Sequence, residues 1–208
     1  MTQDESALVR GLDAVIGWVA SHKPENIRAY VDNLRAQSPG ISNDDLARKI
    51  VKRKAFKSGL VGATTGVGGL IVLPATIPID LGLTWRIQAA VALSIAYAYG
   101  NTADTLDLMT DLYLILAGDS AKEALKRAGI EVAKEVTKRA VSRYITRDVM
   151  KRVCSVIGRK IVTKAGEKSL TSLVKLVPLV GAPIGFAADW AATRAVGHYA
   201  IKYYSGQA

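Results

Sequence analysis

Residues 58–100 read SGLVGATTGVGGLIVLPATIPIDLGLTWRIQAAVALSIAYAYG and contain only two charged side chains, Asp80 and Arg86. A segment of this length with so little charge must be covered on nearly all sides, either by other helices or by lipid. We therefore expect the rest of the chain to be arranged around it.

Glycines recur at spacings of three and four in the first half of this stretch. This spacing places small residues along one face of a helix, where a second helix can approach closely. A nucleotide site would need a Gly-Lys-Ser/Thr ending or a strand ahead of the glycines, and neither is present. The pattern favours close helix packing at Gly59, Gly62, Gly66 and Gly69.

Two prolines, Pro74 and Pro78, predict an interruption after the glycines. Proline lacks an amide hydrogen and disfavours helical geometry in the residue before it. The turn LPATIP then leads into an apolar helix over residues 79–99, which Gly100-Asn101 ends. The two helices are predicted to form an apolar hairpin.

Polar residues inside the apolar segments form a second candidate set. Near the C-terminus a turn, LVPLVGAPIG, precedes a predicted helix over residues 184–204, in which an acid is again followed by an arginine. Because a buried charge must be paired, these residues are predicted to make buried polar contacts. The contacts serve either capping and internal pairing or the binding of a headgroup or partner. The set comprises Asp80, Arg86, Gln88, Asp189 and Arg194.

The net charge of +10 is concentrated in one region. Residues 122–168 hold 14 Lys or Arg against 5 Asp or Glu, and apolar residues recur there at helical spacing. This pattern predicts an amphipathic helix, or two, with a cationic face that is either simply solvated or binds a polyanion. The candidates for binding anionic lipid or an acidic partner are Lys122, Lys126, Lys134, Lys138, Arg139, Arg143, Arg147, Lys151 and Arg152.

Nucleic acid is a weaker candidate for that polyanion. Tyr144 is the only aromatic residue between positions 122 and 164, and no recognised nucleic-acid motif occurs. Anionic lipid and an acidic protein are therefore the favoured partners.

Amphipathic helices are predicted before the central stretch, over residues 4–21, over residues 25–36 and from Leu46 after a cap at Ser42 or Asn43. The last of these is strongly basic just ahead of the uncharged run, as membrane-spanning segments often are. The glycines and Arg86 disfavour a span, since an arginine at the bilayer centre costs about 3 kcal/mol. A buried core segment is therefore favoured over an integral hairpin.

The composition bounds the class of protein. A chain of 208 residues fits one domain, with residues 1–44 packing on residues 45–204. A lone cysteine, Cys154, and two distant histidines predict neither a disulfide nor a metal site, and no cofactor is expected. The acidic N-terminus lacks a signal-peptide pattern, which predicts a cytoplasmic location, including the inner face of the membrane.

The series LARKIVKRKAFKSGLVGATTGVGGL, followed by LPATIPIDLGLTWRIQAAVALSIAYAYG, resembles the EcsC family of bacterial proteins. LVPLVGAPIGFAADWAATRAVGHYAIKYY resembles that family's second apolar motif, so the resemblance covers most of residues 45–204. A related pattern occurs in helical domains attached to some bacterial GTPases, but no GTPase domain is present here. The family is named for a protein encoded beside an ABC transporter. The resemblance therefore implies a function close to the membrane, without a known catalytic activity.

The expected fold is all-α, a single-domain helical bundle around a Gly-rich apolar hairpin and an apolar C-terminal helix. The expected function is non-enzymatic, peripheral association with anionic membrane or lipid through the basic face. The alternatives are an interaction scaffold for a membrane transporter, secretion or defence complex, an integral membrane hairpin, and an enzyme. Against an enzyme, no nucleophile–base pair stands out. The sequence also leaves open whether the chain forms a homodimer.

Overall fold

Helices form all of the regular structure in the part of the chain that the structure describes. The structure is a computed structural model, and it describes residues 23–67, 73–101, 111–112, 114–116, 120–127, 129, 136–138 and 178–206. No strand occurs among those residues, so the predicted all-α fold is confirmed. The helices are α1 (Pro24–Ala36), α2 (Asn43–Val67), α3 (Leu73–Ala98), α4 (Ser120–Arg127) and α5 (Pro178–Ser205).

Helix α1 begins at Pro24, where the missing amide hydrogen costs no helical hydrogen bond. Its buried residues, Ile27, Val31 and Leu34, lie three and four positions apart, as the predicted amphipathic helix requires. Arg35 then fixes the end of the helix, because its guanidinium donates to the Ala98 carbonyl at 3.2 Å. The predicted helix over residues 4–21 lies outside the described residues.

Helix α2 begins at the predicted cap. The Ser42 hydroxyl accepts a hydrogen bond from the Asp45 amide at 3.1 Å and donates to the Asp45 carboxylate at 2.7 Å. These bonds satisfy an amide that would otherwise have no helical partner. The helix then continues without a break into the glycine-rich stretch and ends at Val67.

The predicted interruption at Pro74 and Pro78 is wrong. Helix α3 already begins at Leu73, so Pro74 lies in the first turn, where proline is tolerated. Pro78 costs one hydrogen bond within the helix, but the helix continues past it. The predicted turn LVPLVGAPIG is likewise helical from Pro178 onward and runs through Pro183. Packing of both helices against α2 outweighs the local preference of the prolines.

The predicted end of α3 is confirmed by its geometry. Gly100 adopts a φ of 80°, a conformation that glycine takes without steric cost. The Gly100 amide donates to the Tyr97 carbonyl at 2.9 Å, and the Asn101 amide donates to the Ala96 carbonyl at 2.9 Å. This pair of bonds is the Schellman motif, which satisfies the last carbonyls of a helix.

Helices α2, α3 and α5 pack together around the main core, and α1 covers α3. The core residues are apolar side chains of all these helices together with Leu112, Leu114, Ile115 and Leu125. Among the helices of the described residues, none has both the length and the hydropathy needed to traverse a lipid bilayer.

Helix α5 runs antiparallel to α2 in close contact. Going along α2, Val51 contacts Gly197, Ser58 accepts a buried hydrogen bond from Thr193 at 2.8 Å, and Gly62 contacts Gly185 backbone to backbone. Neither glycine of the last pair has room for a side chain, since an added Cβ would collide with the other helix's backbone. The absence of side chains at these positions therefore sets the distance between the two helices.

The contact between Gly62 and Gly185 predicts that a side chain at position 62 destabilises the protein. Gly62→Ala should lower the free energy of unfolding by about 1–3 kcal/mol in urea denaturation, because the methyl group overpacks against the α5 backbone. Helix propensity alone predicts the opposite, a gain of up to about 1 kcal/mol. Ala191→Gly, on the exposed side of α5, is the control that reports propensity without packing. A Gly62→Ala protein more stable than wild type would contradict the close contact.

Candidate functional site: a basic groove between α2 and α5

The basic residues predicted to bind anions do not form one described surface. Lys122 and Lys126 are exposed on α4, whereas Lys138 is turned inward and its side chain is only 12% exposed. The others lie outside the described residues: Lys134, Arg139, Arg143, Arg147, Lys151 and Arg152. For Lys138 the prediction is wrong, because a buried carboxylate already occupies its ammonium group.

That carboxylate belongs to Asp111, which is 1% exposed and accepts hydrogen bonds from three side chains. Lys138 Nζ donates to the two oxygens at 2.9 and 3.1 Å. The Tyr203 hydroxyl donates to Oδ1 at 2.7 Å, and the Tyr204 hydroxyl donates to Oδ2 at 3.0 Å. The end of α5 is thereby tied to two other parts of the chain.

Burial shifts the pKa values of Asp111 and Tyr204 in this cluster. Burial raises the pKa of the Asp111 carboxyl, while hydrogen bonds from the tyrosines and the Lys138 ammonium oppose that rise. Burial and the neighbouring Asp111 raise the pKa of Tyr204 well above its ordinary value. The cluster is closed to solvent, so we regard it as a structural link. Sequence reasoning missed Asp111; the signal was its position directly before the apolar run LYLIL.

The predicted buried polar set is divided by the structure. Gln88 is buried, and Arg86 and Asp189 are half-buried, with Asp189 beside Gly62. Arg194 is exposed and its guanidinium lies over the Trp190 ring, 5.0 Å from the centroid. The prediction that Arg194 is buried is therefore wrong, because it faces outward from α5. The side chain of Asp80 lies outside the described residues.

A groove of about 820 Å³ runs beside the contact of α2 and α5. One wall is formed by side chains that lie four residues apart on α2, and the other by side chains that lie four residues apart on α5. Val51 and Ala55 are buried and lie between the walls. The walls comprise Arg48, Lys52 and Phe56 on α2 and Trp190, Arg194 and His198 on α5, with Lys49 and Arg53 beside them.

The groove has one cationic end and one aromatic end. Because the helices are antiparallel, Arg48 and His198 lie toward one end, while Phe56 and Trp190 lie toward the other. No carboxylate is among the lining residues that the structure describes. The site is therefore strongly electropositive and bordered by aromatic rings.

Several cations near the groove already have partners. Arg48 pairs with Asp45 at 3.3 Å on the exposed start of α2, and Lys49 donates to the Ser38 hydroxyl at 2.8 Å. Lys54 lies 4.3 Å over the Tyr30 ring, where burial and the neighbouring Lys57 lower the pKa of Lys54 to about 8.

Other cations at the groove remain available. Lys52, Arg53 and Arg194 are exposed, and none of them forms an ion pair with a carboxylate of the described residues. The groove thus offers three cations to an external anion.

Exposed apolar side chains extend the aromatic end of the groove. Phe56 is 55% exposed and packs edge-on against Phe186 at a centroid distance of 5.7 Å. Leu60 and Ile184 are 49% and 48% exposed. We call Phe56, Leu60 and Ile184 the apolar tip, and the groove and apolar tip together the α2/α5 face.

Both walls of the groove lie within a single family match. Residues 37–206 match the EcsC protein family, which covers most of the chain. The chain belongs to the EcsC family. The resemblance seen in the sequence motifs is therefore confirmed, and the α2/α5 face is a feature of the EcsC-matching region.

One relative shows how far the similarity extends. The chain is 26% identical over 168 residues to "Uncharacterized protein YdbA" of Bacillus subtilis (strain 168), which covers 80% of this chain and 57% of YdbA. The EcsC chain described here thus spans little more than half the length of that relative, whose name assigns no activity. No solved structure shows a match to the chain.

The Asp111 cluster predicts strong energetic coupling. Asp111→Asn should lower the free energy of unfolding by about 3 kcal/mol, because the Lys138 charge is left buried without a counter-charge. Adding Lys138→Met should recover part of that loss, giving a coupling energy of at least about 1 kcal/mol in a double-mutant cycle. Lys126→Met, at an exposed position, is the matched control and should change stability little. Additive effects of the two cluster mutations would contradict a direct pairing.

The same cluster predicts a pH dependence. Because burial raises the Asp111 pKa above its ordinary value of 3.8, the folded protein holds this proton at a pH where the unfolded chain has lost it. As pH falls toward 3.8, the stability of wild type relative to Asp111→Asn should therefore rise, and as pH increases it should decline. Urea titrations of both proteins across this range measure the difference. A difference that moves in the opposite direction would show that the hydrogen bonds outweigh burial.

Proposed function

We propose that this protein has a non-catalytic role and associates peripherally with anionic membrane surfaces through the α2/α5 face. The observation that carries the proposal is that exposed cations, which form no ion pair with a carboxylate of the described residues, adjoin exposed apolar side chains on one face. Lys52, Arg53 and Arg194 supply the charge, and the apolar tip supplies the hydrophobic contact.

The two components act at different depths of a membrane surface. A basic residue near an acidic leaflet contributes about 1 kcal/mol, and this attraction weakens when salt shortens the screening length. Apolar side chains gain about 25 cal/mol for each Å² removed from water, so the half-exposed tip adds to the attraction by entering the interfacial layer. The sum corresponds to reversible docking, in contrast to the stable insertion of a spanning helix.

The α4 surface is the competing location. Lys122 and Lys126 are exposed there, as the basic pattern of residues 122–168 predicts. No exposed large apolar side chain accompanies them among the described residues, whereas the α2/α5 face has three. The combination of both components favours the α2/α5 face.

An interaction scaffold remains the second class of function. An acidic protein could use the same cations, and exposed apolar patches also occur at protein interfaces. The cationic groove and apolar tip favour a lipid surface because a phospholipid joins an anionic group directly to an apolar one. A failure to bind anionic vesicles in the following experiment would favour this second class.

Co-sedimentation with lipid vesicles tests the proposal. The protein should bind vesicles of phosphatidylcholine mixed with phosphatidylglycerol, bind pure phosphatidylcholine weakly, and be released as the salt concentration rises from about 0.1 M to 1 M. Leu60→Ser with Ile184→Ser keeps the charge and should weaken binding about tenfold, since two half-exposed apolar side chains no longer enter the interface.

The matched control changes the competing surface. Lys122→Ala with Lys126→Ala should leave vesicle binding nearly unchanged, with folding checked for every variant by circular dichroism. Binding that ignores lipid charge, or no binding at all, would refute a role at anionic membranes. Loss of binding in the α4 variant alone would show that the docking surface lies in the basic region of residues 122–168.

A further inference from the structure

We propose that the α2/α5 groove contains, between its two ends, a binding site for the phosphate headgroup of one anionic phospholipid. Lys52 and Arg194 are the residues that bind the phosphate. This inference rests on the proposed function and goes further, because it replaces diffuse attraction to a surface by a defined site for a single lipid molecule.

Arg194 is already held in position for such a contact. Its guanidinium lies 5.0 Å from the centroid of the Trp190 ring, one turn earlier on α5. A stacked arginine loses less conformational freedom when it binds, and its planar fork matches two oxygens of a phosphate. The stack also occupies one face of the Trp190 ring, which disfavours a nucleobase stacked on that face.

Lys52 lies on the α2 wall of the groove, and Arg194 lies on the α5 wall. The two helices stand close together because Gly197 of α5 contacts the Val51 side chain of α2, which leaves no room for a side chain at position 197. Lys52 and Arg194 both line the groove and are exposed. A phosphate between the walls would therefore receive charge-assisted hydrogen bonds from both helices, which are stronger than bonds between neutral groups.

The apolar end of the groove identifies the rest of the ligand. Phe56 and Trp190 lie beyond the cations, and the apolar tip continues from them onto the surface. A free phosphate or a soluble phosphorylated metabolite would leave these apolar groups in water. A phospholipid would place its glycerol and the start of its acyl chains there, and the remainder of the chains would stay in the bilayer.

The size of the groove agrees with this assignment. Its volume of about 820 Å³ lies within the range of about 300–1,000 Å³ typical of small-molecule sites. A headgroup with the first carbons of its acyl chains fits such a volume, whereas two complete acyl chains would not. The lipid would therefore stay in the membrane while its headgroup is bound.

Short-chain lipids that dissolve as monomers test this site separately from membrane docking. Isothermal titration calorimetry with dihexanoyl phosphatidylglycerol should give saturable binding with one lipid per chain. Dihexanoyl phosphatidylcholine and inorganic phosphate should each bind about tenfold more weakly or worse, because the first carries a compensating positive charge and the second lacks the apolar part. Tryptophan fluorescence should respond to the anionic lipid, and Trp190→Phe should remove that response.

Two charge-matched double variants locate the site. Lys52→Gln with Arg194→Gln should raise the dissociation constant for dihexanoyl phosphatidylglycerol about tenfold or more, since two charge-assisted hydrogen bonds are lost. Lys122→Gln with Lys126→Gln removes the same charge from α4 and should change the constant by less than about twofold. Equal losses in the two variants would overturn the proposal, because net charge would then explain the binding.

The remaining outcomes separate the two proposals. Vesicle binding without any saturable binding of the short-chain lipid would overturn the headgroup site and leave peripheral docking intact. One-to-one lipid binding without vesicle binding would support the site and refute membrane docking. Inorganic phosphate that binds as tightly as the short-chain lipid would overturn the lipid assignment, since the groove would then recognise the anion alone.

Discussion

The backbone contact between Gly62 of α2 and Gly185 of α5 sets the arrangement on which the rest of this structure depends. Backbone-to-backbone approach is possible only where both helices lack a side chain, and here an added Cβ on either would collide with the other. The buried hydrogen bond from Thr193 to Ser58 fixes the register one to two turns away. Together these contacts determine which residues of α2 face which residues of α5.

The groove follows from that register. With the antiparallel helices this close, side chains on their shared outer side cannot interdigitate between them and instead form two parallel walls. Positive side chains then stand near one another with no carboxylate among the described lining residues. Such proximity is unfavourable: burial is the main cause of the lowered pKa of Lys54, and the neighbouring Lys57 lowers it further. Binding of an anion to this face would offset the repulsion between the cations.

Local sequence rules predicted much of the fold and little of the site. Capping at Ser42, the end of α3 at Gly100 and the apolar stripe of α1 all depend on residues within one or two turns. The prediction that the prolines interrupt the helices was wrong because packing against α2 outweighs one lost hydrogen bond. The groove could not be predicted from spacing, because its two walls are brought together by a register between segments far apart in the chain. Likewise, nothing near Lys138 in sequence shows that Asp111 takes up its charge.

A count of basic residues shows where positive charge lies along a chain, but a docking surface depends on the charge left after internal pairing. Lys138 is bound by Asp111, and Lys54 packs over Tyr30. Lys52 and Arg194, in contrast, are exposed on helices whose separation is fixed by the glycine contact. Cations on a rigid frame lose little freedom when they bind, so Lys52 and Arg194 can contribute more to headgroup recognition than cations that already have partners, such as Lys138. We therefore propose that the weaker charge signal in the sequence, on α2 and α5, supplies the anion site.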